Sequence, residues 1–259
     1  MSALDELFAR TRAEGRAALI GYLPSGFPTF EASVAAMLAM VEAGVDAIEI
    51  GIPYSDPLMD GPVIQLAVDE ALRQGSRTEH VLRAVRAVSA TGAPVVVMGS
   101  WNPIEKYGPA RFAADLKAAG GSGAITPDLI PEEAGPWIAA ALEHDLDPVF
   151  LVAPSSTEER IAVVAGTNRG FVYAMSTMGV TGARDQVGTR AQELVARVRA
   201  HTALPVCVGL GVSTRDQATQ VAAFADGVIV GSALVRALRD GGVEAVKDIT
   251  AELAEGVRR

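Results

Sequence analysis

The sequence predicts an α/β fold made by repeating one strand–helix unit. Eight short apolar runs, each with the length of a strand, alternate with patterns of helical periodicity along the 259 residues. No linker or low-complexity stretch interrupts the alternation, and the last two strand runs pass directly into glycine-containing turns. Short apolar strands separated by helices are typical of a parallel sheet. We therefore expect one domain over residues 1–259, a (β/α)8 TIM barrel with an N-terminal helix.

A doubly wound open sheet is the alternative architecture for this alternation. Such a sheet rarely needs eight uniform units, and it gives no reason for glycine turns after both final strands. The chain length alone would also fit two small domains. The regular alternation favours the barrel.

The first element is a helix over Ala3 to Arg12, with Leu4, Leu7 and Phe8 on one side, which would close the bottom of the barrel. The eight strands are expected at 17–23, 46–52, 94–98, 122–126, 148–152, 170–175, 205–208 and 227–230. The clearest helical patterns between them lie at 30–41, 63–73, 78–90, 109–119, 132–143 and 158–165. Thr29 is expected to cap the first of these helices and Gly44 to end it.

Composition excludes several classes of protein. Hydrophobic residues make up 49% of the chain and charged residues 20%, which is enough for a large core and argues against disorder. The net charge of −9, without a basic stripe, disfavours nucleic-acid binding. A single cysteine, Cys207, leaves no intrachain disulfide. With acidic residues near the N-terminus and no long apolar run, we expect a soluble cytoplasmic protein without a membrane span.

The second strand ends in a cluster of carboxylates. Strand alternation puts the three isoleucines of 48–52 on one face and Glu49 among small residues on the other. Burying a carboxylate without a partner is costly, so such a residue is either paired internally or kept for its chemistry. The following loop adds Asp56 and Asp60 between prolines. Two acids in different environments suit acid–base chemistry near neutral pH.

This stretch is long enough to carry a family resemblance. It reads Ile48-Glu49-Ile50-Gly51-Ile52-Pro53-Tyr54-Ser55-Asp56-Pro57-Leu58-Met59-Asp60-Gly61-Pro62 and continues to Gln65. In this run the sequence resembles the tryptophan synthase alpha subunit family. The resemblance implies a lyase of tryptophan biosynthesis that cleaves indole-3-glycerol phosphate to indole and glyceraldehyde 3-phosphate by a retro-aldol reaction. It also implies that Glu49 and Asp60 are the catalytic pair, and that no metal or organic cofactor takes part.

Alternatives remain at the level of the residues and of the function. Glu49 would instead form an internal ion pair, and Asp60 would cap the helix that follows Gly61-Pro62. A phosphosugar-handling isomerase or epimerase would explain the glycine turns but not the whole acidic run. A free-standing indole-releasing lyase, or a subunit that only binds and regulates a partner enzyme, is also compatible with the sequence.

The turns after strands seven and eight are candidates for binding a phosphate. Gly209 and Gly211 follow one strand, and Gly231 and Ser232 follow the other. Glycines let a ligand approach the backbone, and the N–H groups that begin the helix at Ser232 carry partial positive charge. Barrel enzymes often hold phosphate at this position. The family resemblance adds Gly182 to the same site.

The loop after strand six, 176–185, has two glycines and polar flanks, as a mobile lid requires. A plain surface loop is the alternative. In the family, the threonine of the Gly-Val-Thr-Gly motif, here Thr181, contacts the catalytic aspartate when the lid closes. Tyr22 and Tyr173, at the ends of strands one and six, would line a pocket for an aromatic substrate or serve as core residues.

No metal site is expected, because the three histidines are placed in helices or before a strand, away from the chemistry. They are His80, His144 and His201.

Four positions depart from the family pattern, and all lie in loops or pocket walls. They are Pro24 and Phe27 in the first loop, Ser100 after strand three, and the extra Ile130 after strand four. The family works with a beta subunit, an enzyme that uses pyridoxal phosphate to consume the indole. We expect that partner to dock around the second loop and 128–131, where Ile130 lies.

Overall fold

The computed structural model describes residues 1–56, 59–175, 184–209 and 211–258, and within 184–188 only the backbone is described. Nine parallel strands form one sheet in the order β5-β4-β3-β2-β1-β9-β8-β7-β6. The strands are β1 (Ala18–Pro24), β2 (Ala47–Gly51), β3 (Val95–Met98), β4 (Gly123–Ile125), β5 (Asp147–Val149), β6 (Leu151–Val152), β7 (Val172–Met175), β8 (Val206–Gly209) and β9 (Gly227–Val230). The barrel fold is confirmed, with strand ends within a few residues of those expected.

The two ends of the sheet, β5 and β6, are separated along the chain by Phe150 alone. The expected strand 148–152 is therefore two short strands, of which β5 pairs with β4 and β6 pairs with β7. The side chain of Asn168 explains the break. Its Oδ1 accepts the Phe150 N–H at 2.8 Å, and its Nδ2 donates to the Phe150 carbonyl at 3.0 Å. A side chain thus replaces a neighbouring strand at the point where the barrel closes.

The helices alternate with the strands, and two of the connections carry an additional helix. They are α1 (Ala3–Ala13), α2 (Phe30–Glu42), α3 (Pro62–Arg73), α4 (Thr78–Ser89), α5 (Trp101–Tyr107), α6 (Pro109–Ala118), α7 (Gly135–Glu143), α8 (Glu158–Thr167), α9 (Arg184–Arg199), α10 (Arg215–Ala222) and α11 (Ser232–Val257). Thr29 caps α2 as expected, since its side chain accepts the Ala32 N–H. None of the helices in the described ranges is both long and apolar enough to cross a membrane.

The pattern analysis missed α5. Its sequence, with Pro103 at the third position, was expected to form a loop. Proline is tolerated in the first helical turn, where its missing N–H would have no intrahelical acceptor. Another first-turn donor, the Trp101 N–H, is satisfied from outside, because Asp128 accepts it at 2.8 Å from the loop after β4. That contact joins positions 27 apart, so local sequence does not reveal it.

The N-terminal helix α1 closes the bottom of the barrel, as expected. A capping box formed by Ser2 and Asp5 begins it. Leu4, Leu7 and Phe8 are buried and contact the inward-facing residues of the strands. The main members of this interior layer are Ala18, Ile20, Ala47, Val96, Ile125, Val149, Phe171 and Ile229.

The outer layer lies between the sheet and the helices. In β2, Ile48 and Ile50 belong to this larger core, whereas Ala47 belongs to the interior cluster. The expected alternation is therefore confirmed, and it leaves Glu49 on the inner face of the barrel.

Candidate active site

Glu49 lies at the inner face of β2 near the carboxyl end of the barrel. In register it sits between Tyr22 of β1 and Val96 of β3. It is 1% exposed, and its Oε2 has no hydrogen-bond partner in the described part of the chain. Burial first, and then the charge of Asp60, raise the pKa of Glu49 to about 8. A carboxyl with this pKa can both donate and accept a proton near neutral pH.

Asp60 lies in the loop between β2 and α3, partly buried, and faces the same cavity. Burial raises its pKa as well. Gln65 fixes the loop by donating a side-chain hydrogen bond of 2.7 Å to the Asp60 carbonyl oxygen. The two acids therefore share one low-dielectric space, in which the charge of Asp60 disfavours ionisation of Glu49.

The structural interpretations of both acids are wrong for the residues described. No ion pair joins Glu49 to any of them. Helix α3 has Gly61 as its N-cap, and no side chain caps it, so Asp60 does not have that role. Within the described ranges, neither carboxylate forms an ion pair or caps a helix.

Two tyrosines complete the inner wall around Glu49. Tyr22 and Tyr173 both line the cavity, and burial raises the pKa of each, followed for Tyr22 by the charge of Asp60 and for Tyr173 by that of Glu49. Each ring occupies space that a glycine leaves open. A Cβ added at Gly51 would collide with the Tyr22 hydroxyl, and one added at Gly209 would lie 2.5 Å from the Tyr173 hydroxyl. Gly209 thus makes room for a tyrosine, a role that the sequence analysis did not foresee.

The glycine turns after β8 and β9 line the same cavity. Gly211 has φ +69°, and a Cβ there would meet nothing within 4 Å, so its backbone faces open space. Gly231 is the N-cap of α11 and has no side-chain cap bond, which leaves the first N–H groups of the helix, from Ser232 onward, without an intrahelical acceptor. These groups can bind an anion.

The cavity has a volume of about 460 Å³. Eight of the ten expected site residues line it: Tyr22, Glu49, Asp60, Tyr173, Gly209, Gly211, Gly231 and Ser232. The other two, Thr181 and Gly182, lie outside the described residues, as does most of the expected lid 176–185. A cavity of this size can hold a small phosphorylated aromatic molecule.

The sequence analysis missed the remaining lining residues. They are Met59, Gly61, Ile64, Met98, Leu151, Met175, Ile229 and Arg236. Met98 and Met175 are the last residues of β3 and β7, so a search of every strand end would have found them. Arg236 lies on α11 four residues after Ser232, and helical spacing from the glycine turn was the available signal.

The histidines are not part of the cavity. His144 ends α7, and His201 contacts Glu158 at 2.9 Å. His80 lies near the start of α4 beside Phe30, which follows the first loop. The expectation that all three lie away from the catalytic end is therefore wrong for His80, although its ring does not reach the cavity.

The four departures from the family pattern take different positions. Pro24 is the last residue of β1, and Phe27 is buried in the core. Ser100 lines a recess of about 30 Å³ that shares Asp60 with the main cavity. Ile130 is exposed, as a docking residue would be.

Comparisons with known proteins agree over the full chain. The family model described as tryptophan synthase alpha chain matches residues 8–258. The tryptophan synthase alpha chain of Acidothermus cellulolyticus is 58% identical over 262 residues, covering 100% of this chain and 98% of the relative. That of Mycobacterium tuberculosis is 60% identical over 257 residues, covering 99% and 95%.

Solved structures give the same result. A chain of M. tuberculosis tryptophan synthase superposes with a TM-score of 0.94 at 59% identity, covering 100% of this chain and 99% of that one. Tryptophan synthase subunit alpha of Legionella pneumophila superposes with a TM-score of 0.90 at 32% identity, covering 99% and 98%.

Proposed function

The chain belongs to the tryptophan synthase alpha chain family, and we propose that Glu49 and Asp60 carry the family's reaction in it. That reaction is a lyase step of tryptophan biosynthesis, the retro-aldol cleavage of indole-3-glycerol phosphate to indole and glyceraldehyde 3-phosphate. One observation supports the residue assignment above all. Glu49 is buried in a cavity that it shares with Asp60, and its Oε2 has no hydrogen-bond partner among the residues that the structure describes.

Glu49 performs two proton transfers. Its protonated carboxyl donates to C3 of the indole, which makes the ring an electron acceptor. The resulting carboxylate then takes the proton of the side-chain hydroxyl next to the bond that breaks. The electrons of the carbon–carbon bond return to the ring, the hydroxyl carbon becomes the aldehyde, and Glu49 ends protonated again. A pKa of about 8 suits both directions of transfer.

Asp60 accepts a hydrogen bond from the indole N–H. Protonation at C3 places positive charge on the ring nitrogen, and a carboxylate fixed beside it stabilises that charge in a site with little water. Two observations support this role. Gln65 holds the loop by a hydrogen bond to the Asp60 carbonyl, and the Asp60 side chain neither caps α3 nor pairs with a cation in the described chain.

The glycine turns hold the substrate phosphate. The backbone at Gly211 faces open space, and the first turn of α11, from Gly231 and Ser232, has N–H groups that no described side chain caps. Gly182 joins them in the proposal on the strength of the family resemblance. Binding at this end positions the indole against the acids, so that the reaction becomes effectively intramolecular.

Thr181 contacts Asp60 when the loop after β7 closes over the substrate. This proposal rests on the family's Gly-Val-Thr-Gly motif.

A tryptophan synthase beta subunit is the partner of this alpha subunit. We place its docking site on the carboxyl end of the barrel, around the β2–α3 loop and the loop after β4. Exposed apolar side chains at Met59, Leu66 and Ile130 support that surface. A cytoplasmic location is proposed with it, since the one cysteine is free and buried.

The test is cleavage of indole-3-glycerol phosphate by the isolated chain, and again after addition of the cognate beta subunit. We expect slow release of indole alone and a faster rate in the complex. Absence of indole in both conditions would refute the lyase function. An unchanged rate, with no complex at micromolar concentration, would favour a free-standing lyase.

The phosphate site has its own test at Gly211. Asparagine and aspartate both tolerate a positive φ, and the space there is open, so both variants should fold. Gly211→Asp should weaken substrate binding strongly through like-charge repulsion, whereas Gly211→Asn controls for the backbone. Equal binding by the two variants would contradict a phosphate at this turn.

A further inference from the structure

Arg236 lines the cavity, and the proposed function gives it no role. We infer that Arg236 determines specificity for the phosphorylated substrate by pairing with its phosphate. The inference rests on the proposed function. In it, the guanidinium adds a full positive charge to the partial charges of the backbone N–H groups. Of the described residues that line the cavity, Arg236 is the one with a cationic side chain.

Helix geometry brings Arg236 to the phosphate end. It lies four residues after Ser232 on α11, so the two side chains share a face of the helix. Side chains on a helix lean toward its N-terminus. The guanidinium is therefore directed back over the first turn, toward the free N–H groups beside Gly231, and it borders the same cavity as Gly211.

The guanidinium is not committed elsewhere. No hydrogen bond or ion pair joins Arg236 to another described residue. Asp240, four residues further along the helix, would be its natural partner. Arg239 holds that carboxylate in two contacts, Nε to Oδ1 at 2.7 Å and Nη2 to Oδ2 at 3.0 Å. Arg236 keeps only a longer-range attraction to Asp240, which contributes last to the lowered pKa of that acid.

The charge balance of the cavity favours a cation at the position of Arg236. The chain carries a net charge of −9, and the cavity already contains Glu49 and Asp60. A phosphate that enters this space is repelled by the carboxylates. A cation beside the glycine turns offsets that repulsion and favours one orientation of the substrate. Arg236 also borders an outer recess with Ser213 and Asp240, so it is partly open to solvent and can meet an incoming anion.

The experiment compares Arg236→Gln with wild type on indole-3-glycerol phosphate and on its dephosphorylated form. We expect KM for the phosphorylated substrate to rise about tenfold, as for loss of a charge-assisted hydrogen bond, while kcat stays within about twofold. The preference for the phosphorylated form should fall by the same factor. Arg236→Lys should recover most of the affinity, because it restores the charge.

Arg86→Gln is the matched control, since it removes the same charge from the exposed face of α4. Its KM should equal that of wild type at physiological salt. An Arg236→Gln enzyme with unchanged KM, or one whose KM rises equally for both substrates, would overturn the inference.

A second comparison tests the role of Arg239. Arg239→Gln releases Asp240 to pair with Arg236, so KM should rise about threefold, the size of an exposed helix ion pair. Adding Asp240→Asn should remove that rise. If KM is the same in wild type and in both variants, Arg239 does not keep Arg236 from pairing with Asp240.

Binding of glycerol 3-phosphate, measured by calorimetry on the same variants, separates the two proposals. If wild type cleaves no substrate, the proposed function fails, while weaker glycerol 3-phosphate binding by Arg236→Gln would still support the phosphate contact. Equal binding by wild type and Arg236→Gln would refute it whatever the activity.

Discussion

The two ends of the barrel interior are built from the same strands and differ in what faces the side chains. On β2, Ala47 points into the lower layer and meets the apolar face of α1. Two residues later Glu49 points inward again and meets a cavity. The lower end is filled by side chains, whereas the upper end holds acids, tyrosines and glycines around open space. Burial by itself therefore does not distinguish a core position from a catalytic one.

Two buried acids make the contrast sharper. Asp147 begins β5 at the lower end, is 1% exposed, and lies 3.4 Å from the Arg169 Nε. Glu49 is equally buried at the upper end and forms no ion pair with any residue that the structure describes. Burial raises the pKa of both. The Glu49 Oε2 and both carboxylate oxygens of Asp147 have no hydrogen-bond partner in the described chain, but the lower acid is paired with an arginine, and we propose that the upper one acts on the substrate.

The largest expected effect comes from Glu49→Gln, which keeps the size of the side chain but cannot transfer a proton. Turnover should fall by about 10²- to 10⁴-fold, the range for a positioned acid or base. Asp147→Asn is the matched control, because it makes the same chemical change at the other end. Steady-state assays should show normal turnover for the folded control. A similar loss of turnover in both variants would mean that the acid at the lower end matters for catalysis as much as the acid at the upper end.

At the lower end, Leu7→Ala should reduce the free energy of unfolding by about 2–5 kcal/mol, the cost of a cavity in a packed core. Leu7 is 1% exposed, whereas Glu6 next to it is exposed, so Glu6→Ala is the control. Urea unfolding measures the loss. Turnover per folded molecule should not change, and a large fall in kcat would show that the lower layer shapes the catalytic end.

Asp60→Asn should lower turnover by roughly a hundredfold, since the amide cannot stabilise positive charge on the indole nitrogen. The loss should appear in kcat more than in substrate affinity. Asp60 is neither a cap nor an ion-pair partner in the described chain, so urea unfolding of the variant should match wild type. Unchanged kinetics would remove Asp60 from the mechanism.

The last expected effect is on stability against pH. The pKa of Glu49 is about 8 in the folded protein and 4.5 for an unperturbed carboxyl. Below pH 4.5 it is protonated in both states and costs nothing. As pH rises toward 8 the unfolded state releases the proton first, so folding stability falls. Wild type should lose on the order of 5 kcal/mol more than Glu49→Gln across this window, and parallel curves would contradict the shift.

Much of the fold could be predicted because it depends on local patterns. The alternation in β2 placed Glu49 inward, the apolar face of α1 indicated a plug, and Thr29 was recognisable as a cap. What escaped prediction depends on contacts distant in sequence. Asn168 divides a strand 18 residues away, and Asp128 satisfies the start of α5 from another loop.

Predictions of the candidate site divide in the same way, into residues that local sequence indicates and residues that only the packed structure shows. Strand-end position indicated Glu49 and the loop acids, and the family resemblance identified Asp60 as the second member of the pair. Arg236 was not found, because an arginine on a helix is usually a solvated surface residue. Only the structure places Arg236 in the cavity. It also shows that Arg239 binds the Asp240 carboxylate, which leaves Arg236 without that partner. The role of Gly209 as space for Tyr173 likewise needs the packed structure.

The proposed mechanism depends on Glu49 being buried without a partner among the described residues and on its pKa lying near neutral pH. The most direct measurement is a carbon-13 NMR titration of labelled glutamate carboxyls in the isolated chain, with Glu49→Gln identifying the resonance. The account predicts a midpoint near 8 for that signal. A midpoint near 4.5, the unperturbed value, would contradict it.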